Sequence, residues 1–564
     1  MISRTPFSAP SIFNVKKRLY LVFAVMMLAP LCIMSRLVYL QLFRHDEYAA
    51  KAERAIYNSL AEDRKRGGIY DVNGRVWAQS VRTHACGVVK KYVKDKEATL
   101  SFLSNTLNIP RKQLEEKWRT SGNFFYAAKK IKPAVYMELA QVLRTPLGQG
   151  LDLTPEYERL HPVGESALDI IGAANSKNVG LSGIEQMYNE EMTQHIGKKR
   201  ARHSGRGEMI YDRSLKDTVN VGNIYLTLDQ TAQFYTERAL RHAVEQVHPQ
   251  HAVALVQDPN TGHLLAAASY PVKDGQSLAF QFTYEPGSTF KSLAVATALN
   301  SGTLSKGDSI YMENRHWEVA KGFTIRDKQH NKDYLTLAEI LQLSSNIGAG
   351  KIAVEIGAKT LFSYLKDFGF GSKTDINFNG ESKGSLSAYT NWTKVDLATK
   401  GYGYGVAVTP IQLITAYSAI ANGGKLMQPH LVDRIEYTSG KVEKLAKPVE
   451  IRRVLSNETA QTMRELLQTV VEEGSGKRAQ IKGYNVAGKT GTAEKLQEGG
   501  YGQRRHVVSF AGMVPATRPE LVILVILDNP DVYAFGSTAA APVFKEIAEP
   551  LLVLKGIAPD RTDF

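Results

Sequence analysis

Apolar positions run almost continuously from Leu19 to Phe43, broken by Arg36 and Gln41. At 1.5 Å per residue that stretch is long enough to cross a hydrocarbon core of about 30 Å. Lys16-Lys17-Arg18 precede it. The pattern therefore predicts a cytoplasmic tail over 1–18, a single transmembrane anchor over 19–43, and everything beyond about residue 44 outside the cytoplasm. A cleavable signal peptide is the rival reading, but the run exceeds the usual length of an apolar signal core and no A-x-A site follows. Arg36 would lie near the outer end, where its guanidinium can reach the interface.

After the anchor the pattern becomes mixed. Residues 44–220 read as one α/β unit. Arg66-Gly67-Gly68-Ile69-Tyr70-Asp71-Val72-Asn73-Gly74 suggests a strand closed by an Asn-Gly turn. Residues 97–118 and 133–144 read as amphipathic helices separated by Gly122-Asn123-Phe124. A second unit, 223–556, opens with the alternating Ile224–Leu228 and a helix from Gln230 to about Val247 capped by Asp229. Strand patterns follow at Ala252–Gln257 and His263–Ser269, then late in the chain at Val486–Ala493, Val507–Val514 and Leu521–Leu527. A closing helix is expected from about Ala541 to Leu554. Strands at both ends with a helical middle imply an α+β domain built on one antiparallel sheet.

Charge and cysteine content narrow the classes. The 564 residues carry a formal net charge of +14, with pI near 9.3. No zinc-finger spacing or aromatic RNA-binding motif accompanies that charge, so an anionic membrane or wall polymer is the expected partner, not nucleic acid. The basic run Lys198–Arg202 reads as a solvated loop between the two units. Cys32 and Cys86 are too few for a disulfide framework and are expected to be small buried hydrophobes. The 13 histidines show no metal-binding spacing, so no metal or other cofactor is expected.

Three short motifs carry the chemistry. Ser288-Thr289-Phe290-Lys291 starts a largely apolar helix, so Ser288 and Lys291 share one face. A partly desolvated lysine gives up its proton more readily and can take that of the Ser288 hydroxyl. Ser344-Ser345-Asn346 supplies a hydroxyl able to relay a proton and an amide able to hold a substrate carbonyl; a plain helix N-cap is the alternative. Lys489-Thr490-Gly491-Thr492 reads as a strand. Its Gly488 and Gly491 would admit a substrate backbone, and Lys489 with the Thr490 and Thr492 hydroxyls would hold a carboxylate. The amides of Ser288 and Thr492 could form an oxyanion hole, worth about 3 kcal/mol per donor. This is the equipment of acyl transfer without histidine.

The third motif also spells a nucleotide-binding loop, Gly483-Tyr484-Asn485-Val486-Ala487-Gly488-Lys489-Thr490, with Leu521–Asp528 imitating its partner strand. Such a loop needs a buried strand before it and a helix after it. Here a Lys/Arg-rich segment precedes, glycines follow, and the anchor would place the segment where ATP is scarce.

With these residues the chain resembles the class B penicillin-binding proteins, the anchored peptidoglycan transpeptidases. The resemblance spans nearly the whole chain. In the first unit it rests on Arg66-Gly67-x-Ile69-x-Asp71-x-Asn73-Gly74 and Gly180-x-x-Gly183-Ile184-Glu185, with Val72 where the family usually carries Arg. In the second it rests on the three motifs, on Thr399–Pro410, and on Gly536–Phe544. Glu285 before Pro286-Gly287, and Asn346 ending the second motif, resemble the division-type (FtsI-like) subgroup more than the elongation type. The resemblance implies a pedestal domain over 44–220 and a penicillin-binding domain over 223–556 with a five-stranded antiparallel sheet flanked by helices. It also implies a Ser288 acyl-enzyme formed from a D-Ala–D-Ala stem peptide and resolved by a neighbouring amine. Lys291 would be the base, Ser344 the relay, Asn346 the substrate holder, and Lys489, Thr490, Gly491 and Thr492 the carboxylate site. Implied partners are peptidoglycan stem peptides, β-lactam inhibitors, the cell membrane, an FtsW-like membrane glycosyltransferase and other division proteins. The alternatives are an elongation- or sporulation-type enzyme, a serine β-lactamase, and a β-lactam sensor. For a sensor, the short tail before the anchor offers little room for an effector.

Overall fold

The computed structural model describes residues 12–49, 51, 66–193, 202–203, 209–210, 220–327, 330–497, 500–531 and 535–561. The chain divides into two compact units, Met1–Arg64 with Lys199–Leu215, and Lys65–Lys198 with Lys216–Phe564. In the smaller one, the apolar run forms a helix over Ile12–Val38, loosened to a wider π-turn over Tyr39–Phe43. This helix is long and apolar enough to cross a membrane. Cys32 lies exposed on it, contrary to the expectation that both cysteines are buried; Cys86 is buried. The basic positions Lys198 to Ala201 lie outside the described residues.

In the larger unit the pedestal is organised by one long strand, Val76–Val89. It pairs antiparallel with Phe124–Ile131 and with Leu151–Leu160. Leu100, Leu103, Leu114 and Leu139 from three helices close over Cys86, Val88 and Phe125. The single helix expected over 97–118 is two, Lys96–Leu107 and Arg111–Thr120. Asn108 adopts left-handed backbone at the first C-cap (φ 52°), and Pro110 caps the second; both residues end or start helices for steric reasons.

The first strand of the pedestal, Ile69–Tyr70, pairs in parallel with Ile224–Tyr225. The latter belong to Gly222–Leu226, which also pairs with Val432–Tyr437. One sheet thus runs from the pedestal into the catalytic half. That half is centred on five antiparallel strands: β1 (Pro249–Gln257), β2 (Leu264–Tyr270), β3 (Ala487–Gln497), β4 (Gly500–Val514) and β5 (Leu521–Pro530), in spatial order β3-β4-β5-β1-β2. β1 and β5 are apolar on both faces because both faces are covered. Helices Gln230–Val247 and Ala541–Leu554 cover one face, packing Leu240, Phe544 and Ile547 against Val525 and Leu527. Pro410–Ala421, buried at every position, lies on the other side with the helical middle of the chain. β3 forms an edge of the sheet, and the site gathers there.

Candidate active site

The first motif sits where a loop enters the helical layer. Gly287–Phe290 form a 3-10 turn that continues into helix α1, Lys291–Asn300. Gly287 has φ +55°, and a Cβ there would come within 2.7 Å of the Ala493 Cβ on β3. A glycine is needed for both reasons, since it tolerates this backbone and lets the nucleophile turn lie directly on the strand. Thr289 Oγ1 donates to Pro286 O at 2.9 Å, and Tyr417 OH donates to Thr289 O at 2.7 Å, locking the turn from inside. Ser288 is left half-buried at the mouth of a cleft.

The second motif precedes helix α2, Asn346–Ile356. Ser345 is its N-cap, its Oγ accepting from Gly348 N at 2.8 Å, so the plain capping reading holds for this one residue. Ser344 is held in left-handed backbone, φ 57°. Its side chain thereby points away from the helix and toward two lysines. Lys291 Nζ donates to Ser344 O, lies 3.1 Å from Ser344 Oγ, and donates to Asn346 Oδ1 at 2.7 Å. Lys489 Nζ approaches the same Ser344 Oγ at 3.1 Å and Thr490 O at 3.1 Å. Both lysines are fully buried. Two lysines far apart in sequence, Lys291 and Lys489, thus meet on one hydroxyl.

The third motif lies on β3. Lys489, in the middle of a strand with no helix after it, cannot serve the nucleotide-binding loop that its sequence spells; Gly483 is a turn residue well before the strand. Thr490 Oγ1 hydrogen-bonds Ser475 Oγ at 2.8 Å, and Thr492 Oγ1 accepts from Gly536 N at 3.3 Å. The expectation that Gly488 and Gly491 leave room for a substrate backbone needs correcting. A Cβ on Gly491 would meet Ser509 Oγ at 2.2 Å and Thr289 Cγ2 at 3.0 Å, and one on Gly488 the Phe510 ring at 2.6 Å. The chain itself fills that space, and Gly491 is what lets the first motif touch the third.

Ser288, Ser344, Asn346, Thr490 and Thr492 line one cleft of about 260 Å³. A larger cleft of about 940 Å³ lies between the pedestal and helix Gln230–Val247, away from all three motifs, so size alone does not mark the chemistry. Sequence reasoning passed over several other residues of the smaller cleft: Asp327, Tyr404, Ser475, Glu494 and His506. Tyr404 OH accepts from Glu494 N at 2.8 Å, and burial, with the Glu494 and Glu285 carboxylates nearby, pushes its phenol up to about 12. The glycines around Tyr402–Gly405 were the available signal for it. Asp327 and His506 carried none. Among the described residues no cluster of metal-ligating side chains occurs.

Comparison with known proteins agrees with this architecture. Residues 252–549 match the penicillin-binding protein transpeptidase domain, and residues 62–226 the penicillin-binding protein dimerisation domain. The chain is 32% identical to stage V sporulation protein D of Bacillus subtilis, over 97% of this chain and 87% of that one. It is 29% identical to the peptidoglycan D,D-transpeptidase FtsI of Escherichia coli, over 96% and 92%. Among solved structures, a peptidoglycan synthetase from Bifidobacterium adolescentis superposes with a TM-score of 0.70 at 27% identity, covering 89% of this chain and 97% of that one. The fold is that of a penicillin-binding transpeptidase. The chain belongs to the class B penicillin-binding proteins and is a peptidoglycan D,D-transpeptidase.

Proposed function

We propose that Ser288 is the nucleophile of this transpeptidase and that the enzyme cross-links stem peptides during septal wall synthesis. The observation that carries the first part is the convergence of Lys291 and Lys489 on Ser344 Oγ, each at 3.1 Å, beside the cleft that Ser288 lines. The attack needs Lys291 as a neutral amine able to accept a proton. Neutral Lys291 takes the Ser288 proton as Oγ attacks the carbonyl carbon of the penultimate D-Ala. The C–N bond breaks, the departing D-Ala amine receives a proton through Ser344, and an ester to Ser288 remains. An amine from a second stem peptide then attacks that ester, and Ser288 leaves with its proton restored. Asn346 holds the substrate amide. Lys489, Thr490 and Thr492 hold the terminal carboxylate, Gly491 keeps their strand against the nucleophile turn, and the Ser288 and Thr492 amides receive the oxyanion. A β-lactam carries a carboxylate and a strained amide, and the amine freed by ring opening stays tethered to the acyl group instead of departing, so the reaction stops at the ester.

The reading also assigns 1–18 to the cytoplasm, 19–43 to a single-pass anchor, 44–220 to the pedestal, and 223–556 to an extracytoplasmic catalytic domain. Glu285 and Asn346 favour the division-type role, with an FtsW-like glycosyltransferase and other division proteins as partners. The similarity to stage V sporulation protein D keeps a sporulation role as the second reading. Fluorescent penicillin tests both parts. A long-lived adduct on the wild type, its loss in Ser288→Ala, and midcell fluorescence are expected. Rapid turnover would indicate a β-lactamase, an adduct surviving Ser288→Ala would remove the nucleophile, and fluorescence confined to sporangia would favour the second role.

A further inference from the structure

The second motif is held from outside by a residue that belongs to none of the three. Asp327 ends the hairpin formed by His316–Ala320 and Phe323–Arg326 and lines the active-site cleft. Its carboxylate is almost wholly buried (side chain 3% exposed). Oδ1 accepts from Asn346 N at 2.7 Å and from Ile347 N at 3.2 Å, while Oδ2 accepts the hydroxyl proton of Ser345. That last bond fixes the Ser345 hydroxyl as a donor to Asp327, so its lone pairs face Gly348 N. The first three amides of α2 are therefore satisfied, two directly by the carboxylate and the third through the serine that it orients. A negative charge at a helix N-terminus is also favourable in its own right.

We propose that Asp327 is a positioning residue for the reaction. It clamps the backbone at Ser345 and Asn346, so that Ser344 stays in its left-handed conformation and Asn346 Oδ1 stays on Lys291. This inference rests on the roles given above to Ser344 and Asn346. Ser345, the N-cap of α2, serves only Gly348 N, so the bonds to the first two amides come from a carboxylate on a different element. The distant carboxylate adds a rigid tie between the motif and the hairpin beside the cleft. Left-handed backbone at a non-glycine residue persists only where its surroundings over-determine it, and Ser344 is flanked by this clamp.

Saturation kinetics of fluorescent-penicillin acylation on the full-length protein separate binding from the chemical step. Asp327→Ala is expected to lower the acylation rate constant by about tenfold to a hundredfold, the effect of a displaced reacting group, while the dissociation constant stays within about twofold and one adduct still forms per molecule. Asp327→Asn keeps the shape and an acceptor for the two amides and should restore most of the rate. Ser345→Ala, which removes the Oδ2 tie together with the cap bond to Gly348 N but leaves the carboxylate on the amides of Asn346 and Ile347, should fall between and serves if Asp327→Ala does not fold. Rates within about twofold of wild type in Asp327→Ala or, if that variant does not fold, in Ser345→Ala would overturn the proposal. So would a loss seen only as fewer labelled molecules with an unchanged rate constant, which would mark a merely structural role. An adduct on Ser288→Ala would instead overturn the nucleophile assignment, a separate result.

Discussion

Glu185 in the pedestal offers the clearest quantitative prediction. Its carboxylate has no exposed surface and serves two guanidiniums, Arg66 Nε at 2.5 Å and Arg159 Nε at 2.6 Å, themselves 0% and 5% exposed. Glu185→Ala leaves two buried cations facing each other without the anion between them. Breaking a buried pair from one side costs about 3–5 kcal/mol, and a carboxylate shared by two arginines belongs at the upper end. For a domain of this size each kcal/mol moves the midpoint by about 2–4 °C, so the pedestal transition should fall by roughly 10 °C or more. Glu185→Gln keeps an oxygen acceptor but loses the charge, and should fall by about half as much. The cluster also holds the joint between the two halves. Arg159 Nη1 donates to Gly67 O at 2.7 Å, and Gly68 O accepts from Ile224 N at 2.9 Å. Thermal unfolding of the full-length protein in detergent, followed by calorimetry, reads the midpoint; acylation at a temperature below both transitions reads the active site. Acylation should stay within about twofold of wild type, because no residue of the cluster touches the three motifs. A Glu185→Ala protein melting within about 2 °C of wild type would refute the reasoning, and so would one that melts normally but acylates slowly.

Gly491→Ala forces a Cβ against Ser509 Oγ and Thr289 Cγ2; overpacking of this kind costs about 1–3 kcal/mol, and acylation should slow by about tenfold or more as β3 moves off the nucleophile turn. A normal acylation rate would mean that the strand absorbs the methyl group without moving. Burial raises the Asp169 carboxyl from 3.8 to about 6. The folded state then binds its proton more tightly than the unfolded one, so stability is lost as pH rises from about 4 to 6 and the penalty is complete above that, about 3 kcal/mol at most. Asp169→Asn should accordingly be more stable than wild type at pH 8 and show no gain at pH 4 in urea unfolding; a pH-independent difference would exclude this origin. Burial pushes the Cys86 thiol up to about 12, so it should resist a thiol reagent until the pedestal unfolds, as an absorbance assay with and without urea would show.

What was legible in the sequence divides by how far the physical cause reaches along the chain. Ser288 and Lys291 were readable because the chemistry needs both on one helical turn. β1, β2 and β5 were readable because strands covered on both faces are largely apolar, whereas β3 and β4 were readable only over their apolar or small-residue parts. Leu151–Leu160 was not recognised as a strand. Its positions are half-buried or exposed throughout, so no apolar alternation marks it, and its place is set by pairing with Val76–Val89. The break at Asn108–Pro110 was carried by two residues with known backbone preferences and could have been read. The glycines of the third motif were seen, but their reason was not: nothing near Gly491 in sequence announces Ser509 or Thr289 as the atoms that fill its missing side chain. Asp327 is the extreme case. One aspartate among many, it acquires a role only because the hairpin carrying it returns to the amides of a helix 19 residues on. Local chemistry therefore names the groups that react, whereas the residues that hold those groups in place emerge only from the tertiary path. A search for further determinants of activity in this enzyme should start from buried polar side chains that reach a motif from outside it.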